Sequence, residues 1–303
     1  MRRVLPVLLA LGAFGLAAPA LAQHVKITPL GSHDGEFCPL DRALVFEDPD
    51  GTRILYDAGR TVRGPEDPRL GKIDAVLLSH VHGDHLGDAI QPEADAGECA
   101  KPDFSVKVTP NSNTVNIVVG KKASLIVGSE MPMFFARKVK EAGGDPSQVK
   151  LLRFGAMTKV GGVGIASVPA AHSNGLNPAF ISDKAHADVL AANGLTAYVG
   201  EPGGYVLRFS NGLVAYLSGD TGIIAEQDIV VRRHYGANLA VINIGDTFTI
   251  GPTEAAYVIN ELVKPKSVIP SHTNEPVTQG GKLREGTRTA AFVAATTVPV
   301  HLP

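Results

Sequence analysis

Residues 79–88 read SHVHGDHLGD, and no other stretch restricts the chain so tightly. Three histidines and two aspartates fall within ten positions of a chain that holds ten histidines in all. Like charges repel, and buried polar groups are costly unless paired, so this crowd of imidazoles and carboxylates points to a shared cation. His80 and His82 stand two apart, which on an extended segment turns both rings to one side. Gly83 permits a sharp turn, after which Asp84 and His85 can face a second ion. A fold built around this stretch must bring further ligands to it from distant parts of the chain.

Other segments supply them. DAVLLSH (74–80), GVGIASVPAAH (162–172), the hairpin GYVLRFSNGLVAYLSGD (204–220) with its Asn211-Gly212 turn, and KSVIPSH (266–272) read as strands. Each runs into a potential ligand: His80, His172, Asp220 and His272. Strand ends feeding loops are where α/β folds place chemistry. His172 can complete a three-histidine set with His80 and His82. Asp220 can stand between two ions, and His272 can complete the set begun by Asp84 and His85. Imidazoles and carboxylates without cysteine suit two divalent ions, Zn²⁺ foremost, with Mn²⁺ or Fe²⁺ as alternatives. Such a pair lowers the pKa of a bridging water.

The remaining pattern sets the architecture. HVKITPL (24–30) reads as a strand, and ALVFED (43–48) with TRILYDAG (52–59) as a hairpin around Pro49-Asp50-Gly51. ASLIVGS (123–129) and ANLAVINIGD (237–246) read as strands. A helix is predicted over 131–144, with Met133, Phe134, Val139 and Ala142 on its apolar face and Gly143-Gly144 ending it. Another starts at Pro252 and runs through TEAAYVINELV, and a last one covers about 285–295 before a closing strand TVPVHLP. Residues 89–118 are polar and poorly periodic, and read as a loop or insertion beside the site. Hairpins dominate the first half and alternating strands and helices the second. That predicts a mixed α/β chain with two packed sheets and outer helices in a single domain.

The order His80-x-His82-x-Asp84-His85, His172, Asp220, His272 resembles the metallo-β-lactamase-fold hydrolases, across most of the chain from about residue 24. SGDTG (218–222), IGDTFTIGPTEAA (244–256) and VIPSH (268–272) are similar to the branch that includes ascorbate-6-phosphate lactonase. The resemblance implies a four-layer αββα sandwich with the metals at one edge between the sheets. It also implies a hydrolase in which a metal-bridging hydroxide attacks a small-molecule lactone, ester or phosphodiester, with Asp84 and Asp220 as its catalytic carboxylates. Ser79 and Ser271 are then packed neighbours of ligands rather than nucleophiles. A β-lactamase-type amide hydrolase is the alternative, although the familiar zinc β-lactamases lack an aspartate at the position of Asp220. A non-catalytic metal-binding protein of the same fold is a further alternative. A flavin-linked di-iron relative would show glutamate where His82 stands.

Several residues keep two readings. Asp57 resembles an aspartate that this fold holds under the metal site, or is a turn residue. Asp246 orients a ligand histidine, or caps a helix or turn. His186, in the long 173–203 loop, could touch substrate. That loop and 89–118 are expected to shape the pocket. His33 has no partner spacing, His234 reads as a solvated histidine, and Lys121 and Lys122 as a solvated turn.

Composition bounds the rest. Hydrophobic residues make up 44% and charged residues 19%, which suits a folded core. A net charge of −2 and the absence of tryptophan give no footprint for nucleic acid. Residues 1–22, MRRVLPVLLALGAFGLAAPALA, have the basic start, apolar run and Ala20-Leu21-Ala22 of an export signal cleaved before Gln23. An uncleaved anchor is the other reading. Cleavage removes Arg2 and Arg3 and leaves 26 basic against 30 acidic residues, a charge of −4. The expected location is periplasmic or secreted, without stable membrane insertion after cleavage and with self-association open. In that setting Cys38 and Cys99 are a disulfide candidate, or two separate buried thiols.

Overall fold

The computed structural model describes residues 24–303. The segment read as an export signal lies outside the described residues. Among those described, no helix is long and apolar enough to cross a membrane.

Two six-stranded sheets face each other. The first holds β1 (Lys26–Pro29), β2 (Leu44–Glu47), β3 (Arg53–Tyr56), β4 (Ala75–Leu77), β5 (Ser124–Val127) and β6 (Val149–Leu151), paired in that order. The second holds β7 (Met157–Val160), β8 (Val163–Pro169), β9 (Gly203–Arg208), β10 (Val214–Leu217), β11 (Leu239–Asn243) and β12 (Ser267–Ser271), also in order. Each begins with antiparallel hairpins and ends in parallel strands, β3 to β6 and β10 to β12. Parallel neighbours need crossovers, so their C-terminal ends emerge together at one edge.

The period of two assigns each strand residue to a layer. Phe46, Ile54, Tyr56, Ala75 and Leu77 point between the sheets and meet Ile165, Leu207, Leu217 and Val241. Their neighbours Val45, Leu55 and Val76 point outward onto α1 (Asn113–Lys121) and α2 (Met131–Glu141). Behind the second sheet, Val206, Tyr216, Ala240 and Ile242 meet the π-wound α4 (Gln227–Tyr235), α5 (Pro252–Tyr257, continued by a π-wound turn Val258–Val263) and α6 (Arg288–Ala295). A further helix, α3 (Lys184–Ala192), buries no residue and lies on the surface. The layers are αββα, as expected. Tyr205 of β9 ties the sheets together by directing its buried hydroxyl at the carbonyls of Leu78 (2.7 Å) and Ile126 (2.9 Å).

The structure corrects several expectations. The 89–118 segment contains two small hairpins and the start of α1. The helix was hidden because part of its inward face is polar. Asn113 is buried and donates to the carbonyls of Gly59 and Val62, and Thr114 donates to Leu86. On α2 the buried residues are Met131, Phe135, Lys138 and Val139, while Met133 is 80% exposed. Phe134 and Ala142 pack against the same core, so only Met133 leaves the predicted face, and full burial follows the i, i+4, i+8 line from Met131. The edge strands β6 and β7, one in each sheet, were not foreseen, nor was α4. The closing strand reduces to one bridge between Val268 and Val300.

The cysteines are joined. Cys38 and Cys99 form a disulfide with Cα atoms 5.1 Å apart, clamping the 31–42 loop to the hairpin at 97–102. The 89–118 segment therefore braces this loop instead of lining the cleft described next.

Candidate metal centre

The seven ligand candidates converge at the sheet edge. His80, His82, Asp84 and His85 follow β4, and His172 follows β8 by three residues. Asp220 follows β10 by three residues, and His272 directly follows β12. Gly83 does not make the expected sharp turn. It opens a one-turn helix, Gly83–Leu86, where a Cβ would meet the Asp88 carboxylate at 2.5 Å. That single turn swings His85 away from His82 toward the other side of Asp220.

Two donor sets result. His82 Nδ1 lies 3.0 Å from His80 Nε2 and 3.2 Å from His172 Nε2. Nitrogens about 2.0–2.1 Å from a tetrahedral zinc stand roughly 3.3 Å apart, so this spacing fits one ion. On the other side, His272 Nε2 is 3.0 Å from Asp220 Oδ2 and 3.6 Å from Asp84 Oδ2. His85 Nε2 is 3.3 Å from Asp220 Oδ1 and 3.7 Å from Asp84 Oδ2. Asp220 sits between the sets, with Oδ2 also within 3.8 Å of His80 and 3.7 Å of His172. Its Oδ1 is buried without a hydrogen-bond partner. An orphaned carboxylate oxygen facing imidazole nitrogens is what a cation satisfies. The three histidines His80, His82 and His172, and the group Asp84, His85 and His272, could each hold one.

Hydrogen bonds fix which nitrogens face inward. Asp57 is buried and can only accept. It takes the Ser79 N–H (2.8 Å), the Ser79 hydroxyl (2.7 Å) and His85 Nδ1–H (2.8 Å). The hydroxyl has one proton, already given to Asp57, so at 2.9 Å its oxygen accepts from His80 Nδ1–H. His80 and His85 thus both turn Nε2 toward the site. Asp57 is therefore an orienting group, with φ at +41°, and His272 stands at φ +51°. Side chains other than glycine are uncommon there, and such strain gathers at functional sites. Asn243 clamps the Asp220 loop by accepting from Thr221 N–H and donating to Thr221 C=O.

Burial and charge shape the protonation states. Burial holds the His80 imidazole well below its ordinary pKa, with His85 adding to the effect, and burial also lowers His82, His172 and His272. Neutral imidazole is the metal-binding form. Burial opposes the charge on Asp220, yet His85 and His272 outweigh it and keep the acid ionised. Burial likewise opposes the Asp84 carboxylate, and Arg42, His85 and His272 together outweigh it. For His85, burial is overcome by Asp220, Asp84 and Asp57, which raise it to about 10. This corner, with three carboxylates around one ring, demands positive charge.

Arg42 escaped the sequence reading. It precedes β2, is 4% exposed, and no spacing or periodicity marks it. Its Nη2 lies 2.6 Å from Asp84 Oδ2 and 3.2 Å from Asn274 Oδ1, and its Nε donates to His85 Nε2 at 3.2 Å.

The donor sets open into a cleft of about 660 Å³. Ser173, Asn177 and Thr196 of the 173–203 loop line it, as expected, together with Phe248 and Asn274. His186 does not reach it; 80% exposed on α3, it pairs with Asp183. Asp246 orients no ligand histidine; it is exposed, and its carboxylate accepts from Thr247 N–H within a turn. His33 bonds Ser32 and Gly97 away from the cleft, and His234 is exposed. Lys121 ends α1 and Lys122 is its left-handed cap.

Comparison with known proteins agrees with this geometry. Residues 52–273 match the family described as beta-lactamase superfamily domain. A UPF0173 metal-dependent hydrolase of Polynucleobacter asymbioticus is 30% identical over 246 residues, covering 77% of this chain and 72% of the relative. One from Cupriavidus metallidurans is 31% identical over 206 residues, 67% of this chain and 58% of its own length. The solved structure of Igni18, a metallo hydrolase from Ignicoccus hospitalis, aligns over 92% of this chain and 94% of its own with a TM-score of 0.58 at 20% identity. That last likeness concerns the fold alone. The chain belongs to the beta-lactamase superfamily domain family, as a metal-dependent hydrolase of the metallo-β-lactamase superfamily.

Proposed function

We propose that the chain is an exported hydrolase that uses two divalent ions on a small-molecule lactone, ester or phosphodiester. The observation that carries this reading is the placement of Asp220 between two convergent donor sets, with one buried oxygen unpartnered. His80, His82 and His172 would hold one ion, Asp84, His85 and His272 the other, and Asp220 both. Zn²⁺ is the first choice for an imidazole-rich set, with Mn²⁺ or Fe²⁺ next. Bound there, such ions supply hydroxide near neutral pH and polarise a carbonyl or phosphoryl oxygen.

The chain's own part is orientation and charge. Asp57 and Ser79 hold two ligand rings in one tautomer. Asp84 is half-buried at the cleft, and Arg42 with His85 and His272 keeps it ionised, so it acts as ligand and proton acceptor rather than as acid. The cleft's polar wall of Ser173, Asn177, Thr196 and Asn274 suits an oxygen-rich substrate. A lactonase-like specificity is supported by the SGDTG and VIPSH phrases. Export is supported by residues 1–22 and by the Cys38–Cys99 bridge, since disulfides persist in oxidising compartments.

The test is elemental analysis of the chain from Gln23 beside Asp220→Ala, with both samples assayed on lactone, β-lactam, thioester and phosphodiester substrates. Two ions per chain and turnover of a lactone, ester or phosphodiester, both lost in the variant, are expected. Turnover of β-lactams alone would move the reading to an amide hydrolase. Activity surviving in Asp220→Ala would overturn the shared-ligand role.

A further inference from the structure

The Arg42 guanidinium reaches into the second donor set and not the first. It bonds two of that set's own ligand atoms, His85 Nε2 and Asp84 Oδ2. A nitrogen lone pair that accepts from Arg42 cannot at the same moment bind a cation or a proton. A divalent ion at this position would also sit against a fixed positive charge. The three-histidine set carries no such competitor among the described residues.

The guanidinium is held rather than adrift. Asn274 accepts from Nη2, and the side chain is almost fully buried. It also has somewhere to go. On its other side Arg42 lines a separate cavity of about 200 Å³, where Asp34, Glu36 and Asp41 outnumber one further cation, Arg69, beside His33. Its Nη1 atom is buried without a hydrogen-bond partner. A guanidinium between two acidic surroundings, with a spare donor, can trade one for the other.

We propose that Arg42 is the resident cation of the second position, so that the centre takes one divalent ion tightly and admits the second only as Arg42 withdraws toward the acidic cavity. This rests on the two-ion reading above and adds that the positions are unequal and coupled to one side chain. Arg42 is thus a positioning residue: it sets which ions are present rather than touching the reacting atoms. The carboxylate of Asp84 is neutralised at every stage, first by the guanidinium and then by the ion.

The experiment is a titration of the metal-stripped chain with Mn²⁺, followed by calorimetry and by electron paramagnetic resonance. In the wild type, the signal of an isolated Mn²⁺ should persist to one equivalent. The spin-coupled pair should appear only beyond it, with a second affinity weaker by about tenfold or more, as a like charge in contact implies. Arg42→Gln, which keeps hydrogen-bonding capacity without charge, should tighten the second ion by about the same factor and leave the first unchanged. Arg42→Lys keeps the charge and should keep the gap. A coupled pair from the first additions of Mn²⁺ to the wild type would overturn the proposal without any variant. So would an Arg42→Gln protein in which both ions weaken, which is the result of a purely structural arginine. Absence of any bound Mn²⁺ would overturn it together with the two-ion reading, whereas two equal ions would overturn it alone.

Discussion

Asp57 Oδ2 accepts the Nδ1 proton of His85 at 2.8 Å, and both side chains are buried. The same oxygen accepts from Ser79, whose hydroxyl in turn receives His80 Nδ1–H. One carboxylate thereby orients a ligand ring in each donor set. Asp57→Asn puts an N–H₂ where donors now converge and offers at most one accepting oxygen. Metal affinity should fall by about 10–100-fold, the range for groups that orient ligands. Competition with a chromophoric chelator measures this directly. An unchanged affinity would mean the rings are held by packing alone.

Removing the ions should destabilise the fold. The donor sets place two ionised carboxylates and five histidines at one sheet edge, and a cation would relieve the buried Asp220 Oδ1. With free metal at 100 to 1,000 times its dissociation constant, linkage adds about 2.7–4 kcal/mol to stability. Thermal unfolding before and after treatment with a chelator should show that loss, and re-addition of metal should restore it. Equal melting with and without metal would mean that no site of useful affinity forms.

The ligand candidates were legible because His80, His172, Asp220 and His272 each lie within three residues of a recognisable strand end and His82, Asp84 and His85 follow His80 in one motif, and the strands were recognisable because both core layers obey a period of two. The supporting residues were less so. Asn243 and Asn274 are ordinary asparagines until a distant loop is brought against them. Arg42 carries its role through His85 and Asp84, more than forty positions away, and nothing local distinguishes it from a surface arginine. The helix at 113–121 failed for a different reason: its polar inward residues satisfy loop carbonyls, so its apolar periodicity is broken where its burial is not. His186 and Asp246 had suitable chemistry and unsuitable places, one on a surface helix and one in an exposed turn.

The Cys38–Cys99 bridge spans 61 residues and braces the loop that ends in Arg42. Cross-linking over that length restricts the unfolded chain, and removing such a bridge costs about 2–4 kcal/mol. The double variant Cys38→Ser, Cys99→Ser should lose that much in urea denaturation, and reductant should bring the wild type to the same curve. A wild type insensitive to reductant, matched by an equally stable double variant, would show that the bridge contributes nothing to holding this loop.

Asp41 lies in the same loop and gives it a pH dependence. Its carboxyl is buried, and burial raises it to about 6 even though the N–H groups of Cys38 and Ser32 bond it. The folded form therefore holds the proton more tightly than the unfolded form, whose value is near 3.8. Between those values the native state binds more protons, so stability must fall as pH rises. The contribution is fully present below about pH 3.8 and is lost as pH passes 6, amounting to about 2–3 kcal/mol at 1.36 kcal/mol per unit. Asp41→Asn has no such proton. Its stability relative to the wild type should therefore improve by about that amount between pH 4 and pH 7, whatever constant penalty the lost acceptor brings. Urea denaturation of both proteins at pH 4, 5, 6 and 7 reads the slope. A constant difference would mean that Asp41 titrates as an exposed acid does, and a difference that shrinks toward low pH would reverse the sign argued from its burial.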